Sequence, residues 1–255
     1  MKVSTSRTIL VALAVGFLGG MVLLALSGDA EARRDLPAQF LAWASIGAIV
    51  FAGWWFRVRP RRELHRDEAG SLGFRSAPGD PLHLLGRSFA LLGEVAAAKD
   101  VENTSWGSWR GRDVVVFDYW YARSSDPQLD DYRYFTCATT PMPSWPELVI
   151  APAGWTSTLA RAVGMEDVRF EYERFNRAFD VRADDRRFAT ALVDGAMMEW
   201  LLELPPGSGF EIRDGTILCR TPRAPDRDVT RTLETMAAFL NRVPAVVRSW
   251  YGPSG

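Results

Sequence analysis

An α+β fold, a mainly antiparallel sheet with helices packed on it, set behind a two-helix transmembrane hairpin, is the architecture this sequence predicts. Three observations carry the prediction. Two uncharged stretches of twenty residues, Thr8–Ser27 and Pro37–Phe56, occupy the first sixty positions. Runs of β-branched and aromatic residues, Val114–Tyr121 above all (VVVFDYWY), fill the middle of the chain. Toward the end, Val229, Leu233, Met236, Leu240 and Val243 recur at helical spacing.

The first two stretches fit a bilayer. About 20 apolar residues at 1.5 Å rise cross a hydrocarbon core of about 30 Å, and a helix satisfies its own backbone there. The spans are placed at 8–27 and 37–56, joined by the short polar loop Gly28–Leu36. Lys2, Arg7, Arg57, Arg59, Arg61, Arg62 and Arg66 flank the outer ends of this hairpin, against Arg33 and Arg34 in its loop. Seven basic residues against two put both termini in the cytoplasm of a bacterial plasma membrane, by the positive-inside rule. Trp54, Trp55, Arg57, Arg59, Arg61 and Arg62 read as a membrane-interface set, and the arginines there would attract anionic lipid headgroups. Ala30-Glu31-Ala32 resembles a signal-peptide cleavage site, but an apolar run of twenty exceeds the usual signal core of about 7 to 15 residues. Gly16 and Gly20 form a G-x-x-x-G pattern suited to close helix contact, within the hairpin or between chains.

After the spans, the arginine-rich and then Gly/Ser/Pro-rich stretch 61–81 reads as a basic juxtamembrane linker, and 82–255 as a cytoplasmic α+β domain. Trp106–Arg112, Val114–Tyr121 and Tyr132–Thr139 suggest an antiparallel meander, with Glu147–Ile150 as a further short strand. Val168–Phe175 and Ala178–Val181 are predicted strands. Asp184 is placed as the N-cap of a helix to about Val193, and Ala196–Leu204 as another helix, ended by Pro205-Pro206. Asp214-Gly215, between Phe210–Arg213 and Thr216–Arg220, is a strong hairpin signal. Asp226 is placed as the cap of the last helix, which Pro244 ends or kinks.

The phrase FEYERFNRAFDV from Phe170 to Val181, the Asp-rich helix start behind it and the Met-Met-Glu helix resemble a group of actinobacterial-type membrane proteins. These carry a domain of unknown function after two N-terminal transmembrane helices. The resemblance spans roughly Leu72 to Val243 and implies the architecture and a bacterial plasma membrane. It implies no activity and transfers no site residue.

Candidate chemistry is sparse. With 30 basic and 31 acidic residues, the chain gives no basis for nucleic-acid binding. Two histidines, His65 and His83, leave little room for metal or triad chemistry, and Cys137 and Cys219 lack metal-ligand spacing. No P-loop, G-x-S-x-G or H-E-x-x-H motif is present. Two of Glu171, Glu173, Asp180, Asp184 and Asp185 could pair as acid and base, or form an oxygen-ligand metal site. The simpler reading puts Glu171 and Glu173 on the solvent face of a strand, with Phe170 and Tyr172 inward and Arg169, Arg174 and Arg177 as partners of the carboxylates. Asn176 and Arg177 either bind an anion or cap a turn. The expectation is therefore a membrane-anchored, non-enzymatic interaction or regulatory module, without cofactor, whose partners are the bilayer and a protein or second copy. The alternatives are an enzyme of another type, or an accessory subunit of a membrane transport or envelope complex.

Overall fold

Strands form where the chain concentrates side chains that pack well on a pleated surface. The computed structural model describes residues 61–93, 96–122, 132–154, 164–224 and 228–251, within a compact unit that runs from Arg61 to Gly255. In chain order its elements are helix α1 (61–71), β1 (Arg75–Ala77), β2 (Ala98–Trp109), β3 (Arg112–Ala122), β4 (Tyr132–Pro141), β5 (Leu148–Pro152) and β6 (Glu166–Asp167). There follow α2 (Glu173–Ala178), β7 (Phe179–Ala183), α3 (Arg186–Leu192), α4 (Gly195–Glu203), β8 (Gly209–Arg213), β9 (Thr216–Pro222), α5 (Asp228–Arg242) and α6 (Ala245–Tyr251). The predicted spans, with Gly16, Gly20, Trp54, Trp55, Arg57 and Arg59, lie outside the described residues, as does Asp226. Among the described residues, no helix is long and apolar enough to cross a membrane.

The nine strands make one sheet in the order β1-β2-β3-β4-β9-β8-β5-β7-β6, antiparallel at every junction. Alternation along each strand assigns the two faces. On the helical face, Val114, Val116, Ile150, Ile212 and Phe210 meet Phe188, Leu201, Leu233, Met236 and Phe239. Phe210 and Phe239 stack with centroids 4.4 Å apart, and burying each ring is worth roughly 1.5–3 kcal/mol. On the opposite face, among the described residues, Phe117, Tyr119, Phe135 and Leu218 pack in a cluster to which no α-helix contributes a fully buried side chain. A strap of two 3₁₀ turns, Leu84–Gly86 and Ala90–Leu92, lies there instead and contributes Leu84, Phe89, Leu91 and Leu92.

The predicted meander and hairpin are present. Asp214 and Gly215 both take positive φ, 47° and 64°, in the turn between β8 and β9. Three expectations are corrected. Residues 61–81 are not a linker: α1 and β1 are built from them. Val168–Phe175 is not a strand. Asn176 turns back there, its amide accepting from the Phe170 N–H at 3.2 Å and donating to the Phe170 carbonyl at 2.6 Å, and α2 begins at Glu173. The cap of α3 is Asp185, not Asp184, with its carboxylate accepting from the Phe188 N–H at 3.1 Å.

One irregularity positions the site described next. The register of β2 on β3 shifts between Glu102 and Ser105, so that Asn103 sits at φ 49° in a β-bulge. Bulges re-aim side chains, and this one turns Asn103 toward β3.

Candidate functional site

Helix α1 carries Arg61, His65 and Glu68 at steps of four and three residues, one face of a 3.6-residue period. That face is polar, and it is the buried face: Arg61 is 9% exposed and His65 1%. Its counterpart on the sheet is Asp118 of β3, two residues beyond Val116 and therefore on the helical face, 1% exposed.

The Asp118 carboxylate accepts four hydrogen bonds. Arg61 donates two in a fork, Nε to Oδ2 at 3.1 Å and Nη2 to Oδ1 at 2.8 Å. Asn103 Nδ2 donates to Oδ2 at 2.8 Å, and the Thr136 hydroxyl, on the register partner in β4, donates to Oδ1 at 3.2 Å. A buried carboxylate with every acceptor position filled is stable as an anion. Burial pushes the Asp118 pKa up, but the Arg61 hydrogen bond and charge outweigh it and hold Asp118 below the usual carboxylate range. Burial likewise disfavours the Arg61 charge, and Asp118 and Asp228 together overcome that and raise its pKa.

Asp228 opens α5 and is fully buried. Its Oδ2 lies 2.9 Å from Arg61 Nη2 as an ion pair, while the two Nη2 protons are directed to Asp118 and Thr136, so this oxygen accepts no hydrogen bond. Oδ1 accepts from the Ala224 N–H at 2.8 Å and from Arg231 Nη2 at 3.1 Å. Burial prevails here, and the Asp228 pKa is raised. Glu68 completes the fastening by capping α5, its two oxygens accepting from the Val229 and Thr230 N–H groups at 3.2 and 2.8 Å.

Ser105, His65 and Asp118 have the composition of an acyl-transfer triad, but not its geometry. His65 Nε2 lies 3.0 Å from Ser105 Oγ, yet Nδ1 is 3.9 Å from Asp118 Oδ1 and has no hydrogen-bond partner. The Asp118 charge is matched by Arg61, so it does not orient the imidazole. Ser105 is completely buried and shares its hydroxyl with Ser76 at 2.8 Å, so no substrate reaches it. Burial lowers the His65 pKa, which keeps the ring neutral at pH 7. The cluster holds α1 to the sheet.

A second buried pair fastens the strap to the other face. Glu211 of β8 accepts from the Ala90 and Leu91 N–H groups, both at 2.8 Å, and from Arg213 Nε at 3.0 Å. Arg220 of β9 donates to the Leu91 carbonyl at 2.9 Å and lies 4.4 Å from the Phe135 ring centroid. Desolvation raises the Glu211 pKa despite these bonds.

The residues singled out from sequence fall as follows. Arg61 is inside the protein, where it cannot meet lipid headgroups, because Asp118 and Asp228 hold its guanidinium; Arg62 is exposed. Glu171, Glu173 and Asp184 are exposed, Glu173 sitting 3.9 Å from Arg177, and Asp180 accepts from the Gly154 N–H at 3.0 Å, so these carboxylates do not converge. Phe175 and Phe179 are buried, with Phe170 and Tyr172 half-buried against them. Asn176 caps its turn and is not an anion ligand in this geometry. Both cysteines are buried and neither forms a disulfide. The polar face of α1 and the buried Glu211 and Arg220, which each bond to the strap, escaped sequence reasoning. The spacing of Arg61, His65 and Glu68 was the available signal for the first.

No protein-family model matches the sequence, and no curated protein matches it. Among solved structures, the chain is similar in fold to the crystal structure of the mycobacterial trehalose monomycolate transport factor A, TtfA. The TM-score is 0.50 at 14% identity, over 72% of this chain and 96% of that one. At that identity the likeness concerns the fold.

Proposed function

We propose that this chain is a membrane-anchored, non-enzymatic accessory module of a bacterial envelope-transport assembly, with its α+β unit on the cytoplasmic face. The carrying observation is the use made of the charges on and under α1. Arg61, Asp118 and Asp228, with His65, are buried, and together with the half-buried Glu68 they tie α1 to the sheet and to the start of α5. In sequence, α1 follows directly on the segment read as two membrane spans. The role in that assembly is suggested by the fold of the mycobacterial transport factor. The alternative of an enzyme draws no support from the closed Ser105–His65 pair.

Two experiments test this. Crosslinking in native membranes, with identification of the captured proteins, is expected to recover an integral membrane transporter or envelope-assembly component. Recovery of soluble metabolic enzymes alone would count against the reading. For orientation, single cysteines at Ser27 or Ala30 are expected to react with an impermeant thiol reagent added outside, and one at Ser254 is not. Cys137 and Cys219 are buried, so they give little background. Labelling at Ser254 only would reverse the topology.

A further inference from the structure

A groove of about 420 Å³ lies between the β2–β3 turn, the β4–β5 loop, the C-terminal half of α5 and α6. Its floor and walls are apolar: Trp109, Val114, Met142, Trp145, Met236 and Leu240. Its polar lining consists of Arg110, Arg112 and Arg248 with Asn241, and no carboxylate lines it.

The arginines differ in what already occupies them. Arg248 donates to the Leu240 and Asn241 carbonyls at 3.2 and 3.1 Å. Arg110 lies over the Trp109 ring at 4.3 Å, in a two-residue turn where it takes φ 50° and Gly111 φ 77°. Neither Arg110 nor Arg112 has a carboxylate within ion-pair distance among the described residues, unlike Arg61, Arg213 and Arg231. The protein thus sets two uncompensated cations at the rim of an apolar, methionine-rich recess, and cation density of that kind favours an anion. Methionines fill irregular space adaptably, which suits flexible chains. The volume falls within the range of small-ligand sites, about 300–1,000 Å³.

We infer that this groove binds an anionic amphiphile of the lipid class, with its acyl chain against Trp109, Met142, Trp145, Met236 and Leu240 and its phosphate or carboxylate head at Arg110 and Arg112. The inference rests on the lining alone, and it stands or falls independently of the envelope-transport reading. Charge complementarity selects the head, and the dry wall behind the arginines selects a chain over a bare ion. Each methylene removed from water adds affinity, which an inorganic anion cannot gain.

The test uses the full chain in nanodiscs of phosphatidylcholine, titrated calorimetrically with octyl phosphate, with empty discs subtracted. Two variants and two controls complete it: the R110Q/R112Q variant, the groove-filling A237F variant, and parallel titrations with inorganic phosphate and with octyl glucoside. Saturable binding of octyl phosphate is expected, weakened about tenfold or more in R110Q/R112Q, as the loss of charge-assisted bonds requires, and abolished in A237F. Partition into the disc is common to all the proteins and cancels between them. Absence of saturable binding overturns the inference. So does inorganic phosphate binding as tightly as octyl phosphate, since the chain then contributes nothing, or octyl glucoside doing so, since the charge then contributes nothing. Undiminished binding by R110Q/R112Q, whose substitutions are exposed and leave the core intact, places the ligand elsewhere and also overturns it.

Discussion

Replacing Arg61 with methionine isolates the energetic weight of the α1 fastening. Methionine keeps the length of the side chain and removes the charge. Asp118 then loses two of its four hydrogen bonds and its full counter-charge, keeping only Asn103 and Thr136. Asp228 loses an ion pair but keeps Arg231 and the Ala224 N–H. Removing one partner of a buried pair costs about 3–5 kcal/mol, because the other charge is stranded. The two neutral donors left on Asp118 place the expected loss near the lower end, about 3 kcal/mol. The pH dependence adds a second, sharper readout. In the intact protein Asp118 is held below the ordinary range, so its stabilisation is complete above the unfolded value of about 3.9 and fades only as pH falls through the lower folded value. In the variant the sign reverses. A stranded carboxylate has a folded pKa above its unfolded one, so the deficit is full at neutral pH and shrinks as acid protonates the folded state first. Urea unfolding of the full chain, followed by tryptophan fluorescence in neutral detergent at pH 7 and pH 5, measures both. A loss below about 1 kcal/mol, the size of a solvated pair, would refute the reasoning, as would a deficit that grows on acidification. The R61M/D118L double variant is expected to cost less than the two single changes summed.

Further outcomes follow from other contacts. Glu211→Gln strands one of the Ala90 and Leu91 N–H groups and is expected to cost about 1–3 kcal/mol, with faster proteolysis in 82–93. Because burial raises the Glu211 pKa, its charge weakens the fold as pH rises above the carboxylate reference of about 4.3, and the variant is expected to lose that slope in urea titrations run upward from there. Leu233→Ala, at a fully buried site under the sheet, is expected to cost about 2–5 kcal/mol in the same assay. Gly209→Ala would set a methyl 2.9 Å from the Ile150 carbonyl and is expected to cost about 1–3 kcal/mol by overpacking. Glu173→Gln, on an exposed side chain, is expected to stay within about 0.5 kcal/mol of the parent.

What could be read in the sequence, and what could not, divides along periodicity. Strand β3, the β8–β9 hairpin and α5 each bury apolar side chains at the period of their backbone, and that signal is local. Helix α1 buries a period of arginine, histidine and glutamate, so its amphipathic pattern is inverted and an apolar search passes over it. Its partners, Asp118 and Asp228, stand 57 and 167 positions further along, and Asp118 lies within a run otherwise rich in β-branched and aromatic residues. The Phe170–Phe175 stretch failed for the opposite reason. Its alternating aromatics imitate a strand, while the Asn176 amide supplies the bonds a neighbouring strand would have made. The groove is assembled from four separate segments, and only the fold brings Arg110, Met142 and Leu240 together.

The nine-stranded sheet ends, on one side, in the three residues of β1 and, on the other, in the two of β6. β1 pairs only Thr104–Trp106 of the twelve-residue β2, so the Ala98–Asn103 stretch keeps its outer backbone edge clear of β1. An end strand that short hides little of the edge behind it. Whether an extended peptide can add to this unit therefore turns on the part of β2 that β1 leaves, and not on β1 itself.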